Sequence, residues 1–400
     1  MNNKGNYKKG TRREIIKMIH MGGILPSKSL NALENRRTYR EKIKQMIDEG
    51  VLNESRVKNG RHTYRIIGLN EYEKNREKYK MYLPDGYYEN YVTYGQQAAR
   101  QCRNKPGSVS QRIIGAAETH VIVKEAKIAC EPDTKINLYQ KAFLDDGGSY
   151  YYNSREIKNY TGYKDKVRIL KNENKDTEKL VISSRMTGLI VSPGGIYSVY
   201  NMGQSINDWQ AGGELKIKTH LDYLLGNRME NPQSCDNALT IIEEYDSLAH
   251  VLAPKTKKEN KAEKSFENLN QAYKRIYSIP YSLEGKRMIE IMKIPGWEHY
   301  IREAMLANYE HRDEKVGYLP CDAITDKEEY VFLYCVPDVA GLKRFLKYAE
   351  ASGEKERFIV IGFDFQTKML VKSCNGRCRI LKTNFNKFYD NFMEDHKDGN

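Results

Sequence analysis

Asn59-Gly60 separates two strand-like runs, Ser55–Lys58 and Arg61–Ile67. Both residues accept the left-handed backbone of a type I′ turn, so the pair marks a tight hairpin. What precedes it narrows the fold further. Arg36–Glu49 carries Tyr39, Ile43, Met46 and Ile47 at the i, i+4, i+7, i+8 spacing of a core-facing helix, with Asn35 placed to cap it and Gly50 to stop it. Upstream, Ile15, Ile16 and Ile19 mark a helix that Thr11 can cap and Gly22-Gly23 can end. Between the two, Pro26-Ser27 opens a short segment, Ser27–Glu34, with Leu30 and Leu33 on one side. Three short helices followed by a two-stranded hairpin is the order of a winged helix-turn-helix, expected over residues 1–70.

Charge points the same way. The chain carries a net charge of +13, and residues 1–80 hold 20 basic against 9 acidic residues, nearly the whole excess. Clustered cations gain counterion-release free energy on a phosphate polyanion. Thirty tyrosines with abundant Lys and Asn also fit the codon usage of an AT-rich genome, so composition leaves a merely solvated basic surface open. Periodicity favours the first reading. Arg36, Arg40 and Lys44 form one stripe of the predicted third helix, with Arg37 beside it, about a quarter-turn from the apolar stripe. Such a helix fits a major groove, where Arg can bond guanine O6 and N7. Arg56, Lys58, Arg61, His62 and Arg65 surround the hairpin tip, suited to phosphates or a minor groove. A protein-interaction module with solvated basic faces is the alternative.

Four hundred residues allow two or three domains. Residues 71–110 read as a charged and helical connector with a Pro84-Asp85-Gly86 turn; 111–253 and 276–400 read as mixed α/β domains. Between them, 254–275 reads as a charged linker or helix. Leu180–Ser192 and Ile196–Met202, separated by Pro193-Gly194-Gly195, predict a second hairpin. Apolar runs predict strands at Met288–Ile294, Phe358–Phe365 and Met369–Lys372, a hairpin at Ala323–Val336, and helices at Glu298–Leu306, Val339–Ala351 and Asn384–Met393. The fold class expected is therefore α+β. No run of 18 apolar residues offers a membrane span, the basic start leads into no apolar signal core, and no fixed-period repeat is visible. Seven scattered cysteines make no disulfide framework, which points to a reducing cytoplasm.

A metal-dependent nuclease of the restriction-endonuclease kind needs an Asp at a strand start and an acidic-x-Lys element on the next strand, to hold Mg²⁺ and activate water. Glu214-Leu215-Lys216 supplies the second element, but Ser192-Pro193 stands where the metal-binding Asp is wanted. Asp322, after Pro320-Cys321, supplies the first, yet Tyr330–Cys335 contains no acidic-x-Lys. The reading is a nuclease-like scaffold without a complete metal site and without a cofactor, Mg²⁺ entering only if the nuclease alternative holds. Cys374 and Cys378 have a metal-ligand spacing without a second pair nearby; His220, His299 and His311 are isolated. Neither a P-loop nor a dinucleotide glycine motif occurs. Gly115-Ala116-Ala117 reads as close helix packing. Tyr87-Tyr88 and Tyr150-Tyr151-Tyr152 are aromatic runs that can stack on bases.

Taken together, the chain resembles the replication-relaxation family of plasmid and conjugative-element proteins. The likeness rests on Thr11–Ile67, including the Met46-Ile-Asp-Glu-Gly-Val-Leu52 run, and on two later segments, Ser184-Arg185-Met-Thr-Gly188-Leu-Ile190 and Tyr318-Leu-Pro-Cys-Asp322-Ala-Ile324. The resemblance implies an N-terminal winged helix followed by a degenerate, restriction-endonuclease-like α/β domain. It implies a double-stranded DNA-binding protein of a mobile element in a low-GC Gram-positive bacterium, acting in replication, transfer or transcriptional control. Replication or relaxase proteins are the partners this suggests, with no membrane partner and with a homodimer allowed. A nickase and a DNA-free interaction scaffold are the competing functions.

Overall fold

A computed structural model describes residues 10–33, 35–59, 62–70, 79, 81–83, 98–104, 107–138, 142–159, 184–203, 209, 211–307, 319–354 and 357–396. The fold is mixed α+β and divides into two compact units, Met1–Ala142 with Tyr150–Ile157, and Phe143–Ser149 with Lys158–Asn400. The expected boundaries at 70, 110, 253 and 275 do not coincide with this division.

The first unit opens with helix α1 (Thr11–Gly22), which ends on Gly23 in the left-handed conformation. Gly10, rather than Thr11, takes its cap position. A two-residue strand β1 (Leu25–Pro26) and a 3-10 turn (Ser27–Ala32) lead to helix α2 (Arg36–Asp48). Strands β2 (Leu52–Asn59) and β3 (His62–Leu69) form an antiparallel hairpin with Asn59 opposite His62, and β1 joins its β3 edge. Ile15, Ile16 and Ile19 of α1, Leu30 and Leu33 of the turn, and Ile43 and Met46 of α2 share one apolar core, with Tyr39 and Ile47 packed beside it.

Much of what completes this unit lies beyond residue 70. Helix α3 (Ser108–Glu125) runs so close to the end of α1 that a Cβ at Gly22 would stand 3.1 Å from the Cα and Cβ of Ala117. Ile113, Ile114 and Ala117 of α3, with Ala98, Ala99 and Cys102, bury Val57 and Ile66 on one face of the hairpin. The expected connector also supplies core residues. Tyr79 is fully buried, and its one hydroxyl hydrogen lies within reach of the carbonyls of Val51 and Asn70, each at 2.7 Å. The Pro84-Asp85-Gly86 turn and Tyr87-Tyr88 lie outside the described residues. Tyr150, Tyr151 and Tyr152 form strand β4 (Tyr150–Asn153), followed by the short helix α4 (Ser154–Asn159). All three rings are buried, so they are not free to stack on bases, because β4 packs them into the unit.

In the second unit, strands β5 (Met186–Ser192) and β6 (Gly195–Gly203) form the expected antiparallel hairpin. Helix α5 (Ala211–Arg228) leads to β7 (Asn237–Ile242), parallel to β6. Helix α6 (Lys257–Asn270), capped by the Thr256 side chain, leads to β8 (Arg275–Pro280), parallel to β7. The 254–275 stretch is thus largely helix. Helices α7 (Leu283–Met292) and α8 (Trp297–Leu306) follow. The second sheet repeats the plan: β9 (Ala323–Ile324) antiparallel to β10 (Tyr330–Leu333), helix α9 (Val339–Ser352), β11 (Phe358–Phe363), helix α10 (Thr367–Cys374), then β12 (Arg379–Thr383), the last three strands parallel. Helix α11 (Phe385–Asp395) ends the described chain. Two expected strands are helices. Met288–Ile294 falls mostly in α7, which buries Met288, Ile289, Ile291 and Met292, and Met369–Lys372 falls in α10, which buries Met369, Leu370, Ser373 and Cys374. The buried positions of α10 follow i, i+1, i+4, i+5, the period of a helix face, whereas α7 is buried at every position from Met288 to Met292, Glu290 included. Among the described residues no helix is long and apolar enough to cross a membrane.

Charges are buried in the first unit. Lys17 Nζ lies 2.6 Å from Glu131 Oε2 and 3.2 Å from Asp133, the Lys17 and Glu131 side chains being only 6% and 7% exposed. Lys124 bonds both Glu131 and Glu14, and these cations hold the Glu131 carboxyl below its usual range although burial pushes the other way. Removing one partner leaves an uncompensated buried charge. Glu131→Leu is therefore expected to destabilise the protein by about 3 kcal/mol in urea titration.

The His20 ring is buried, donates from Nδ1 to the Ile16 carbonyl at 2.8 Å, and is lowered by that burial from 6.5 to about 4. Burial drives His120 the same way, with Lys124 and Lys135 adding to it. Between these two values the unfolded histidine binds more protons than the folded one. Its contribution is therefore present above pH 6.5 and is lost as pH falls toward 4. In urea titrations at pH 7 and pH 5, His20→Met is expected to lose about 2 kcal/mol less than wild type over that interval.

Candidate nucleic-acid interface

Helix α2 turns its core residues inward, so its basic residues are left to solvent. Arg36, Arg37, Arg40 and Lys44 are all exposed, while Ile43 and Met46 are buried. Among the described residues Arg36 and Lys44 have no carboxylate partner. Arg37, 92% exposed, pairs with Glu41 one turn on at 3.0 Å, an exposed pair of small energetic weight. Arg40 donates from Nη2 to Asn31 Oδ1 at 3.1 Å, which ties it to the 3-10 turn preceding the helix. The far end of α2 is held by Arg12, whose guanidinium bonds both Glu49 oxygens at 2.8 and 2.6 Å.

The hairpin has two unlike faces. Val57 and Ile66 are covered, whereas Glu54, Arg56, Lys58, Thr63 and Arg65 are exposed. Arg56 stands directly opposite Arg65 and Lys58 opposite Thr63. Two guanidinium groups as cross-strand neighbours repel, and neither has a carboxylate partner among the described residues. Arg61 and the His62 side chain lie outside what the structure describes; His62 is placed only as the first residue of β3. Exposed Arg103, which donates to Ser55 Oγ at 3.3 Å, adds a cation beside β2. Sequence reading missed it because nothing local says that residues 98–104 fold back against the hairpin.

The nuclease candidates are placed differently from expectation. Glu214 and Lys216 sit in the first turns of α5, not on a strand. Glu214 is buried in a cage of donors: Ser184 Oγ at 2.9 Å, Tyr200 OH at 2.7 Å and the Arg185 amide at 3.3 Å. Burial raises its pKa even against those bonds. Lys216, two residues on, is exposed, so the two side chains do not converge. Asp322 accepts from the Leu333 amide at 2.7 Å and from Arg302. Cys374 and Cys378 flank a left-handed turn at Asn375 and Gly376, and both are free thiols, Cys374 buried and Cys378 half-buried. His220 is buried in α5, His299 is exposed beside Glu303, and His311 lies outside the described residues. No group of three or more His, Cys, Asp or Glu side chains among the described residues could hold a metal.

Comparison with protein-family models, with curated proteins and with solved structures found no match to this chain.

The opposed arginines make a testable statement about stability. Arg56→Glu turns a repulsive cross-strand pair into an attractive one and is expected to stabilise the protein by about 0.5 kcal/mol. Urea titration at low salt reads the gain, which shrinks as salt screens the pair.

Proposed function

We propose that this chain is a double-stranded DNA-binding protein whose first unit reads the duplex as a winged helix. The observation that carries the proposal is the pairing of two exposed basic surfaces with well-packed backs. One is the Arg36, Arg40 and Lys44 stripe of α2, the other the Arg56, Lys58 and Arg65 face of the hairpin. A helix of this kind presents guanidinium groups to base edges in a major groove, and a basic hairpin beside it suits phosphates or a neighbouring minor groove. Rigid backing matters because each long side chain held in place loses less entropy on binding.

In this reading the second unit is a restriction-endonuclease-like body that works without cleaving. Its hairpin followed by parallel strands supports the likeness, and the enclosure of Glu214 argues against a metal-loaded carboxylate there. The body holds DNA or contacts a replication or relaxase protein, and a homodimer would set two readers on one duplex. By its resemblance to the replication-relaxation family, the chain serves the replication, transfer or transcriptional control of a mobile element in the cytoplasm.

Binding of the intact protein to random duplex DNA is expected to fall steeply with salt, because cations on phosphate release counterions. The Arg36→Ala, Arg40→Ala, Lys44→Ala triple variant, shown by circular dichroism to be folded, is expected to bind about tenfold more weakly. Equal binding by the two proteins would move the contact elsewhere on the chain. Absence of binding by either would remove the DNA reading.

A further inference from the structure

A cleft of about 170 Å³ in the second unit gathers three arginines from three different elements: Arg275 at the start of β8, Arg302 on α8 and Arg344 on α9. It lies where the two sheets meet. The Ser278 amide donates to the Pro337 carbonyl at 2.9 Å, and Tyr277 bridges Asp338. The cleft borders the carboxyl end of β10, the side of parallel strands where ligands of open α/β sheets collect.

Two aspartates line the cleft but turn much of their hydrogen-bonding capacity to backbone. Asp322 gives one oxygen to the Leu333 amide and the other to Arg302. Asp338 Oδ1 accepts from the Ala340 amide at 3.1 Å and from the Ile276 amide at 3.4 Å, while Arg344 stays 3.9 Å from its other oxygen. Arg275 pairs with Glu298, outside the cleft lining, and with Tyr277 OH. Each arginine faces one carboxylate (Glu298 for Arg275, Asp322 for Arg302, Asp338 for Arg344), so the charges balance. The spare capacity lies in guanidinium N–H groups, above all those of Arg344, whose partner stays 3.9 Å away. The three arginine side chains remain 37–57% exposed, with N–H groups left over for an added acceptor.

We infer that this cleft binds a phosphate group. Guanidinium forks arriving from three directions match a tetrahedral oxyanion; a single fork already saturates a planar carboxylate. Phe332 and Val336 give the cleft an apolar wall. A second cleft of about 360 Å³ shares Arg302 and is lined also by Gly194, Trp297, Glu298 and His299. A phosphate monoester therefore has room for its organic part beside the anion. Gly341 is packed closely against the lining, since a Cβ there would come within 2.7 Å of Asp338 Oδ2 and 3.1 Å of the Phe332 ring.

The test titrates the full-length protein by calorimetry at constant ionic strength with inorganic phosphate, with adenosine 5′-monophosphate and with acetate. Arg344→Gln is the principal variant, because Arg344 is the most exposed of the three and makes no hydrogen bond among the described residues. Arg302→Gln is the second, and circular dichroism confirms that each is folded. Saturable phosphate binding is expected, weakened about tenfold by either substitution, with acetate at least tenfold weaker. The monophosphate binding several-fold tighter than phosphate assigns an ester as ligand; equal affinity assigns free phosphate. Absence of saturable binding, unchanged affinity in both variants, or acetate binding as well as phosphate overturns the proposal.

Discussion

Lys17 and Glu131 meet at 2.6 Å in the interior of the first unit, 114 residues apart in sequence. Burying two charges is unfavourable unless geometry and further bonds repay the desolvation, and here Lys124, Glu14 and Asp133 complete the set. Sliding α1 along α3 by one turn would separate cations from carboxylates and leave each unpaired in a poorly hydrated place. The network therefore fixes how the two helices lie against one another. That register in turn sets Gly22 against Ala117, where a Cβ would meet the Ala117 Cα and Cβ at 3.1 Å. Since α3 also covers Val57 and Ile66, the orientation of the hairpin, and so the direction in which its basic face looks, depends on the same charges.

The elements of the candidate interface were legible because their signals are local. Tyr39, Ile43, Met46 and Ile47 specify one face of α2, and what lies off that face is exposed by default. Asn59-Gly60 marks the hairpin from sequence alone, and β2 and β3 pair around it. The support of these elements was not legible. Tyr79 sits in a Lys- and Glu-rich stretch that reads as solvated, yet it is fully buried with its hydroxyl against the Val51 and Asn70 carbonyls. The Lys17–Glu131 pair leaves no periodic trace at all. Misread strands have a related cause: Met369-Leu-Val-Lys372 is a short apolar run, and only Ser373 and Cys374 being buried while Val371 is exposed reveals a helical period.

Topology repeats in the second unit although the sequence shows no repeat. Each sheet is begun by an antiparallel hairpin and extended by two parallel strands reached through helices. The acidic residues met near each hairpin have different surroundings. Glu214 lies behind β6 with its oxygens occupied by Ser184, Tyr200 and the Arg185 amide, and burial raises its pKa. A carboxylate so enclosed has little capacity left for a cation. Asp322 stands at a cleft edge, but a guanidinium already occupies the place a metal would take. The same scaffold thus sets an aspartate against arginines at one sheet and encloses a structural carboxylate at the other.

A cross-strand pair of arginines is a poor choice for stability alone. Arg56 and Arg65 repel where Thr or a Lys–Glu pair would attract, and Arg36 and Lys44 lack carboxylate partners among the described residues. The hairpin tolerates this because its other face is buried against residues 98–104 and α3, so packing outweighs a repulsion of a few tenths of a kcal/mol. Like charges at close spacing become favourable when a polyanion lies across them, since one phosphate row then satisfies several cations at once. The unit therefore carries electrostatic strain on the surface and apolar burial behind it, a division suited to binding more than to self-stability.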